Sequence, residues 1–252
     1  RNPAKHLKDI KSAVLVTGGF YDAEDCYGAF ETYKEISRLS PECDLYLAAG
    51  PWYHGGWSNR KANHLAGAWF GEASGAYYLD KVEYPFFVYY LEGKGSAPAK
   101  VSVLPSGETM KSKMEGVSSE SLWETYSSWP PADAAPVRFY LSGTDSLNIS
   151  GRSESATFRT FTSDPADPVP YMDVKSSGRD RGYMTADQGF ASKREDVLTY
   201  SGNLLSDTLH LLGPVKAHLE LRLDLPSGKY SRNMDADIVV KLIDVRPDGY
   251  QM

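Results

Sequence analysis

The stretch AVLVTGGFYDAEDCYGAFETYKEISRLSPECDLYLAAGPWYHGGW, Ala13 to Trp57, decides how the whole chain is read. Ala13 to Val16 is a short apolar run that ends in Gly18-Gly19, the pattern of a buried parallel strand entering a loop. From Ala23 to Leu39 the spacing becomes helical, with Ala29, Tyr33 and Ile36 near one face. Asp22 or Glu24 puts negative charge at the start of that helix, where its dipole favours it, and Ser40-Pro41 ends it. Cys43 to Ala49 reads as a second strand, and Gly50-Pro51 breaks it. Strand, helix and strand in this order predict a βαβ unit with a right-handed crossover.

Ligands of open α/β sheets bind beyond the carboxyl ends of the strands. Two loops here take that position, Gly18 to Asp25 and Gly50 to Gly56. The first offers carboxylates; the second offers a single histidine among glycines and aromatics. Asp22 followed by His54 matches the chain order Ser, Asp, His of a hydrolase triad. Such chemistry needs an imidazole to take the serine proton and a carboxylate to hold its tautomer and stabilise the imidazolium. No serine in the chain sits in a Gly-x-Ser-x-Gly elbow. Gly71-Glu72-Ala73-Ser74-Gly75 and Gly56-Trp57-Ser58-Asn59 come nearest, and neither has the spacing. The nucleophile is therefore expected upstream of Arg1, or there is none. Glu24 and Asp25 are competing carboxylates, expected to be helical already and aimed elsewhere. Asp22 alone could equally be a helix N-cap, and His54 alone a loop histidine. Phe20, Tyr21, Trp52, Tyr53 and Trp57 flank the pair, and lining a substrate pocket competes evenly with core packing.

Outward from this unit, residues 64–93 read as helical and rich in aromatics, with Pro85 starting or kinking a helix. Glu92 to Pro98 has linker composition. Beyond it, Lys100–Leu104, Val137–Leu141 and Asp196–Tyr200 are short strand candidates between turns. Val215 to Asp224 alternates apolar and polar residues over ten positions, the pattern of a half-buried strand, and Asp237 to Val245 reads as a more fully buried one. Short strands with frequent turns argue for a β-sandwich. The expected division is 1–98 as an α/β part and 99–252 as an all-β part.

The 252 residues suffice for one large domain or two medium ones, and 24% charged and 41% apolar residues exclude wholesale disorder. Residues 1–93 hold 9 basic against 12 acidic residues and 94–252 hold 18 against 21, so neither part presents the basic excess that nucleic acid requires. The longest apolar stretch, Pro85 to Leu91, is far short of the ~20 residues that span a bilayer, so no membrane partner is expected. Cys26 and Cys43 lie at opposite ends of a helix ~20 Å long, too far for a bridge, and should be free thiols. His6, His64, His210 and His218 share no metal-ligand spacing, and Asp235 with Asp237 falls short of a calcium shell. No metal and no cofactor is expected. The start Arg1-Asn2-Pro3 and the end at Gln251-Met252 read as those of a piece excised from a longer protein.

The chain resembles the C-terminal half of the cocaine esterase and X-Pro dipeptidyl-peptidase family, nearest to its α-amino acid ester hydrolase and glutaryl-7-aminocephalosporanic acid acylase branch. The segments that carry the likeness are GGFYDAEDCYGAFETYKEI (Gly18–Ile36), GPWYHGGW (Gly50–Trp57), YPFFVYYLEGKG (Tyr84–Gly95), SDPADPVPY (Ser163–Tyr171), DVLTYSGNLL (Asp196–Leu205) and DADIVVKLIDVRPDG (Asp235–Gly249). The resemblance implies the last part of an α/β-hydrolase fold followed by a jelly-roll β-sandwich beginning near Ala99. It places the family's triad Asp on Asp22 and triad His on His54, and it implies hydrolysis of acyl esters, amides or X-Pro peptides through an acyl-enzyme. The family's Gly-x-Ser-Tyr-x-Gly segment is absent, and its jelly roll continues past Met252. The implied partners are a small ester, amide or peptide substrate and the N-terminal half of the same protein, with a homo-oligomer left open. The family implies a secreted or periplasmic bacterial protein. The rival reading is a non-catalytic β-sandwich binding module on a residual α/β platform.

Overall fold

The computed structural model describes the chain except residues 1–2, 108–109, 150, 152–157, 175–176, 179 and 225–234. A mixed four-stranded sheet organises it, its strands lying side by side in the order Val14–Gly19, Leu45–Gly50, Val101–Val103 and Glu124–Tyr126. β1 (Val14–Gly19) and β2 (Leu45–Gly50) run parallel in the register Val14↔Leu45 to Gly19↔Gly50, joined by helix α1 (Cys26–Leu39). The helix begins at Cys26, later than the expected Ala23, because residues 20–25 are held in turns that belong to the site below.

β5 (Val101–Val103) adds a third parallel strand on the far edge of β2, and β6 (Glu124–Tyr126) pairs antiparallel with β5. The sheet thus draws a strand from beyond residue 98. Both of its faces are covered, as a parallel sheet demands. Val16, Leu47, Val101 and Val103 meet Tyr33 and Ile36 of α1 on one face. Ala48 and Leu104 meet Trp52, Phe70, Tyr78 and Val82 on the other.

Residues 64–73, expected to be helical, form a small hairpin instead, β3 (His64–Leu65) with β4 (Ala68–Trp69). The left-handed Ala66 (φ 47°) turns it. Helical structure then runs from 74 to 92 as α2 (Ser74–Tyr77), a π turn (Tyr78–Glu83), α3 (Tyr84–Phe87) with Pro85 in its first turn, and a second π turn (Val88–Glu92). A short helix α4 (Lys111–Met114) precedes β6. No described helix is long and apolar enough to cross a membrane. Both cysteines are free.

Beyond β6 the described residues depart most from expectation. β7 (Tyr140–Leu141) and β8 (Leu147–Asn148) form a two-residue ladder, and Ser146 bridges Ser201. Asp196–Tyr200 forms no strand. Val215–Asp224, expected as a half-buried strand, is unpaired: Val215 is 67% exposed and Leu221 60%. Asp237–Val245, expected to be buried, leaves Val239 79% exposed, and only Val245 forms a bridge, to Gln251. Alternation buries a face only when a neighbouring strand completes the ladder, and none lies beside these segments among the described residues. The C-terminal residues are held instead by individual hydrogen bonds to distant parts of the chain. The Thr185 hydroxyl donates to the Leu65 carbonyl at 3.1 Å, the Tyr250 hydroxyl to the Thr185 carbonyl at 2.6 Å, and the Gln188 amide to the Gln251 carbonyl at 2.8 Å.

Candidate active site

The loops that leave β1 and β2 are brought together by continued pairing. The Phe20 amide donates to the Gly50 carbonyl at 2.8 Å, one step past the last ladder pair. The approach requires glycine: a Cβ on Gly19 would lie 2.1 Å from the Trp52 carbonyl oxygen.

Asp22 sits where the first loop turns. It is 3% exposed. Its Oδ1 accepts from the amides of Glu24 at 2.8 Å and Asp25 at 3.0 Å, an Asx turn that leads into α1. Its Oδ2 faces the second loop, 2.9 Å from Nδ1 of His54. The carboxylate is therefore fixed in rotation by backbone donors on one oxygen and offers the other to the imidazole. A carboxylate accepts only, so at this distance Nδ1 carries a proton, and in the neutral imidazole Nε2 then has its lone pair free. The His54 side chain is 50% exposed. Among the described residues no hydrogen bond reaches Nε2.

Glu24 and Asp25 do not compete for His54. Their amides serve Asp22, and the Asp25 carboxylate folds over Gly28, where a Cβ would lie 1.9 Å from Oδ1. Neither is helical, contrary to expectation, since α1 starts one residue after Asp25.

The five flanking aromatics separate into different roles. Trp52 is 1% exposed and belongs to the core, so it is no pocket wall. Phe20 stacks on Phe30 of α1, centroids 5.9 Å apart, and packs with the core beneath. Tyr21 lies against the opposite core; burial pushes its phenol up, while its hydrogen bond to Ser106 pulls the other way. Tyr53 is half-buried, and the Arg181 guanidinium lies 4.7 Å from its ring centroid. Trp57 alone of the five makes a ring contact with His54, edge to face at 6.4 Å. Arg181 and Ser106 carried no signal in the sequence, since nothing local ties them to residues so far away along the chain.

Two surface clefts of about 450 and 600 Å³ lie elsewhere. Met110, Lys111, Arg246 and Asp248 help line the first, and Phe161, Asp164 and Arg194 the second; neither includes Asp22 or His54. The His54 side chain is half exposed, with the Asp22 carboxylate buried behind it. What the pair can do is hold an imidazole in one tautomer with Nε2 outward, ready to accept a proton from a group placed before it.

Residues 94–252 match the model of the X-Pro dipeptidyl-peptidase C-terminal non-catalytic domain. The chain is 29% identical over 259 residues to the cocaine esterase of Rhodococcus sp. (strain MB1 Bresler), a match spanning 97% of this chain and 40% of that protein. Among solved structures, an α-amino acid ester hydrolase aligns with a TM-score of 0.64 and 26% identity over 79% of this chain and 32% of its own. An aminopeptidase from a marine sediment archaeon, Thaumarchaeota archaeon, aligns with a TM-score of 0.61 and 26% identity over 75% of this chain and 30% of its own. The chain thus spans well under half the length of each relative.

Proposed function

This chain belongs to the cocaine esterase and X-Pro dipeptidyl-peptidase family of hydrolases, and from that premise we propose that it supplies the Asp–His pair of a serine hydrolase. The observation that carries the reading is the 2.9 Å contact between Nδ1 of His54 and the buried Asp22 carboxylate, with Nε2 directed away. In this reading a serine outside the 252 residues attacks an acyl ester or amide carbonyl. His54 Nε2 takes its proton and then gives it to the leaving group, and water repeats the cycle on the acyl-enzyme. Asp22 keeps the proton on Nδ1 and stabilises the imidazolium as it forms.

Three features support a site completed by other polypeptide. The His54 ring is half exposed. β1 is paired on one edge only among the described residues. The relative that matches nearly the whole chain is more than twice as long. We assign the β1–α1–β2 part to the last portion of an α/β-hydrolase domain, and the stretch matching the non-catalytic domain to a jelly-roll sandwich. Within that stretch the description "non-catalytic" favours a second role, a module that supports or binds beside the hydrolase part. An ester, amide or peptide substrate is proposed, and the protein is placed in the secreted or periplasmic space on the family resemblance.

The test is His54→Ala in the protein of full relative length. Turnover of an activated ester should fall about 10³-fold or more, as loss of a triad histidine does. A fluorophosphonate should label the long protein and leave the 252-residue chain unlabelled. Near-normal turnover in the variant would sink the assignment.

A further inference from the structure

The motif Gly71-Glu72-Ala73-Ser74-Gly75, too irregular for a nucleophile elbow, has another use. Ser74 is fully buried, and its hydroxyl is already committed in both directions. Oγ accepts from Nε1 of Trp52 at 2.9 Å and donates to the Ala62 carbonyl at 2.5 Å. A hydroxyl has one proton, so none remains for attack on a substrate. We infer that Ser74 and Gly75 form a clamp that positions His54, a role that rests on the Asp–His reading above.

The two members of the Asp22–His54 pair are not equally secured. Asp22 is fixed by its own turn, through two backbone amides. His54 is half-exposed, and among the described residues its one side-chain hydrogen bond is the one to Asp22. It precedes Gly55, whose φ of 74° gives a tight left-handed turn. What holds the loop lies on either side of it. On the N-terminal side, the Ser74 hydroxyl locks the rotation of the Trp52 indole. That ring fills the space over Gly50, where a Cβ would come within 2.8 Å. On the C-terminal side, α2 lies on the chain at 57–60. A Cβ on Gly75 would stand 1.9 Å from the Asn59 carbonyl oxygen and 2.9 Å from that of Trp57. The Ala76 amide donates to the Arg60 carbonyl at 3.0 Å.

A side-chain path joins the two sides of the loop directly, and the histidine leans on it through Trp57. Trp57 packs edge-on against Trp52, with centroids 6.4 Å apart, and against His54 at the same separation. Rotating Trp52 therefore displaces Trp57, and with it the wall that keeps the imidazole facing Asp22. The left-handed Ala73 (φ 60°) turns the chain so that Ser74 enters the core. Next to Ala73, Glu72 is pinned by backbone hydrogen bonds: its amide donates to the Val117 carbonyl at 2.7 Å and its carbonyl accepts from the Ser119 amide at 3.0 Å.

The readout is the tautomer of His54 in the ¹⁵N-labelled 252-residue chain, taken from ring nitrogen shifts at a pH where imidazole is neutral, about two units above its usual ~6.5. Wild type should show mainly Nδ1–H, and Asp22→Asn should lose that preference. Ser74→Ala should reduce the Nδ1–H to Nε2–H ratio at least about threefold with the β2 amide shifts unchanged, Gly75→Ala should do likewise, and Ser74→Thr, which keeps the hydroxyl, should restore it. If Ser74→Ala does not fold, Trp52→Phe removes the same hydrogen bond from the other side and carries the comparison. An Asp22-dependent preference that survives Ser74→Ala, or Trp52→Phe in its place, overturns the clamp alone. A wild-type ratio insensitive to Asp22→Asn overturns the Asp–His reading and the clamp with it.

Discussion

β2 and the segment 215–224 are both apolar enough to be strands, and they meet opposite fates. In β2, Leu47, Ala48 and Ala49 are at most 1% exposed, with β1 on one side and β5 on the other. In 215–224, Val215, Leu219 and Leu221 stand 67, 39 and 60% exposed with no ladder. The difference does not lie in propensity, since Val and Leu alternate more regularly in the second segment than in the first. It lies in neighbours. β2 meets β1 through a short helical crossover that brings two parallel strands together within one local unit. Residues 215–224 need a partner that the described chain does not place beside them. Periodicity states which face a strand would bury, and the neighbour decides whether it does.

Hydrogen exchange should break this comparison most sharply if it is wrong. The sequence pattern alone favours strong protection in 215–224; the structure reverses that expectation. Amides of Leu47 to Ala49 should exchange about 10³-fold or more slowly than those of Lys216 to Leu221, after correction for intrinsic rates, because central strands open only with energies near the global ~5 kcal/mol. Comparable protection in both would mean that 215–224 finds a partner in solution.

A pair of truncations gives the next largest contrast. Trp52→Ala removes the largest fully buried side chain and leaves Ser74 without its donor. It should cost about 3–5 kcal/mol in urea unfolding, as large aromatic truncations in cores do. Leu219→Ala, at an uncovered position, should stay within about 0.5 kcal/mol. A large loss for Leu219→Ala would show that its exposure is not that of the dissolved protein.

What could be read from the sequence follows the same division. β1, α1, β2 and the meeting of Asp22 with His54 were legible because each depends on a short pattern: an apolar run, a helical face, a glycine-rich exit. β5 falls within the stretch expected to be all-β, yet it pairs with β2. Val101 to Val103 reads as a strand, yet nothing in its residues says that it extends the parallel sheet more than fifty positions upstream. The aromatics beside His54 were ambiguous for a different reason. A tryptophan next to a catalytic-type histidine fits a pocket wall or a core equally, and only the contacts of Gly50 and Ser74 decide that Trp52 turns inward. The hairpin at 64–69 was hidden because its turn uses a left-handed alanine, and alanine, unlike glycine or asparagine, does not announce that conformation.

The smallest effect tests how the C-terminal end is fastened, and it depends on pH. Asp187 lies among the contacts that hold residues 244–252. Its Oδ1 accepts from the amides of Gly189 and Gln251, both at 3.0 Å, and these two bonds hold its carboxyl below the usual range. A carboxyl whose folded value is lowered keeps its charge to lower pH than the same group in the unfolded chain, near ~3.9. Its contribution is thus fully present above that pH and is lost as pH falls through the lowered folded value. The residue is exposed, so water shares the charge and the effect on global stability is slight. Locally it should still register. Protection of the Gln251 amide should fall as the solution is taken below about pH 4, while β2 amides, which depend on no carboxylate, keep theirs. Asp187→Asn should lower Gln251 protection at neutral pH and remove its dependence on acid. A Gln251 amide that loses protection with the same acid profile in Asp187→Asn would show that another group fastens this end, and would move the contrast between the packed sheet and the loosely held tail away from Asp187.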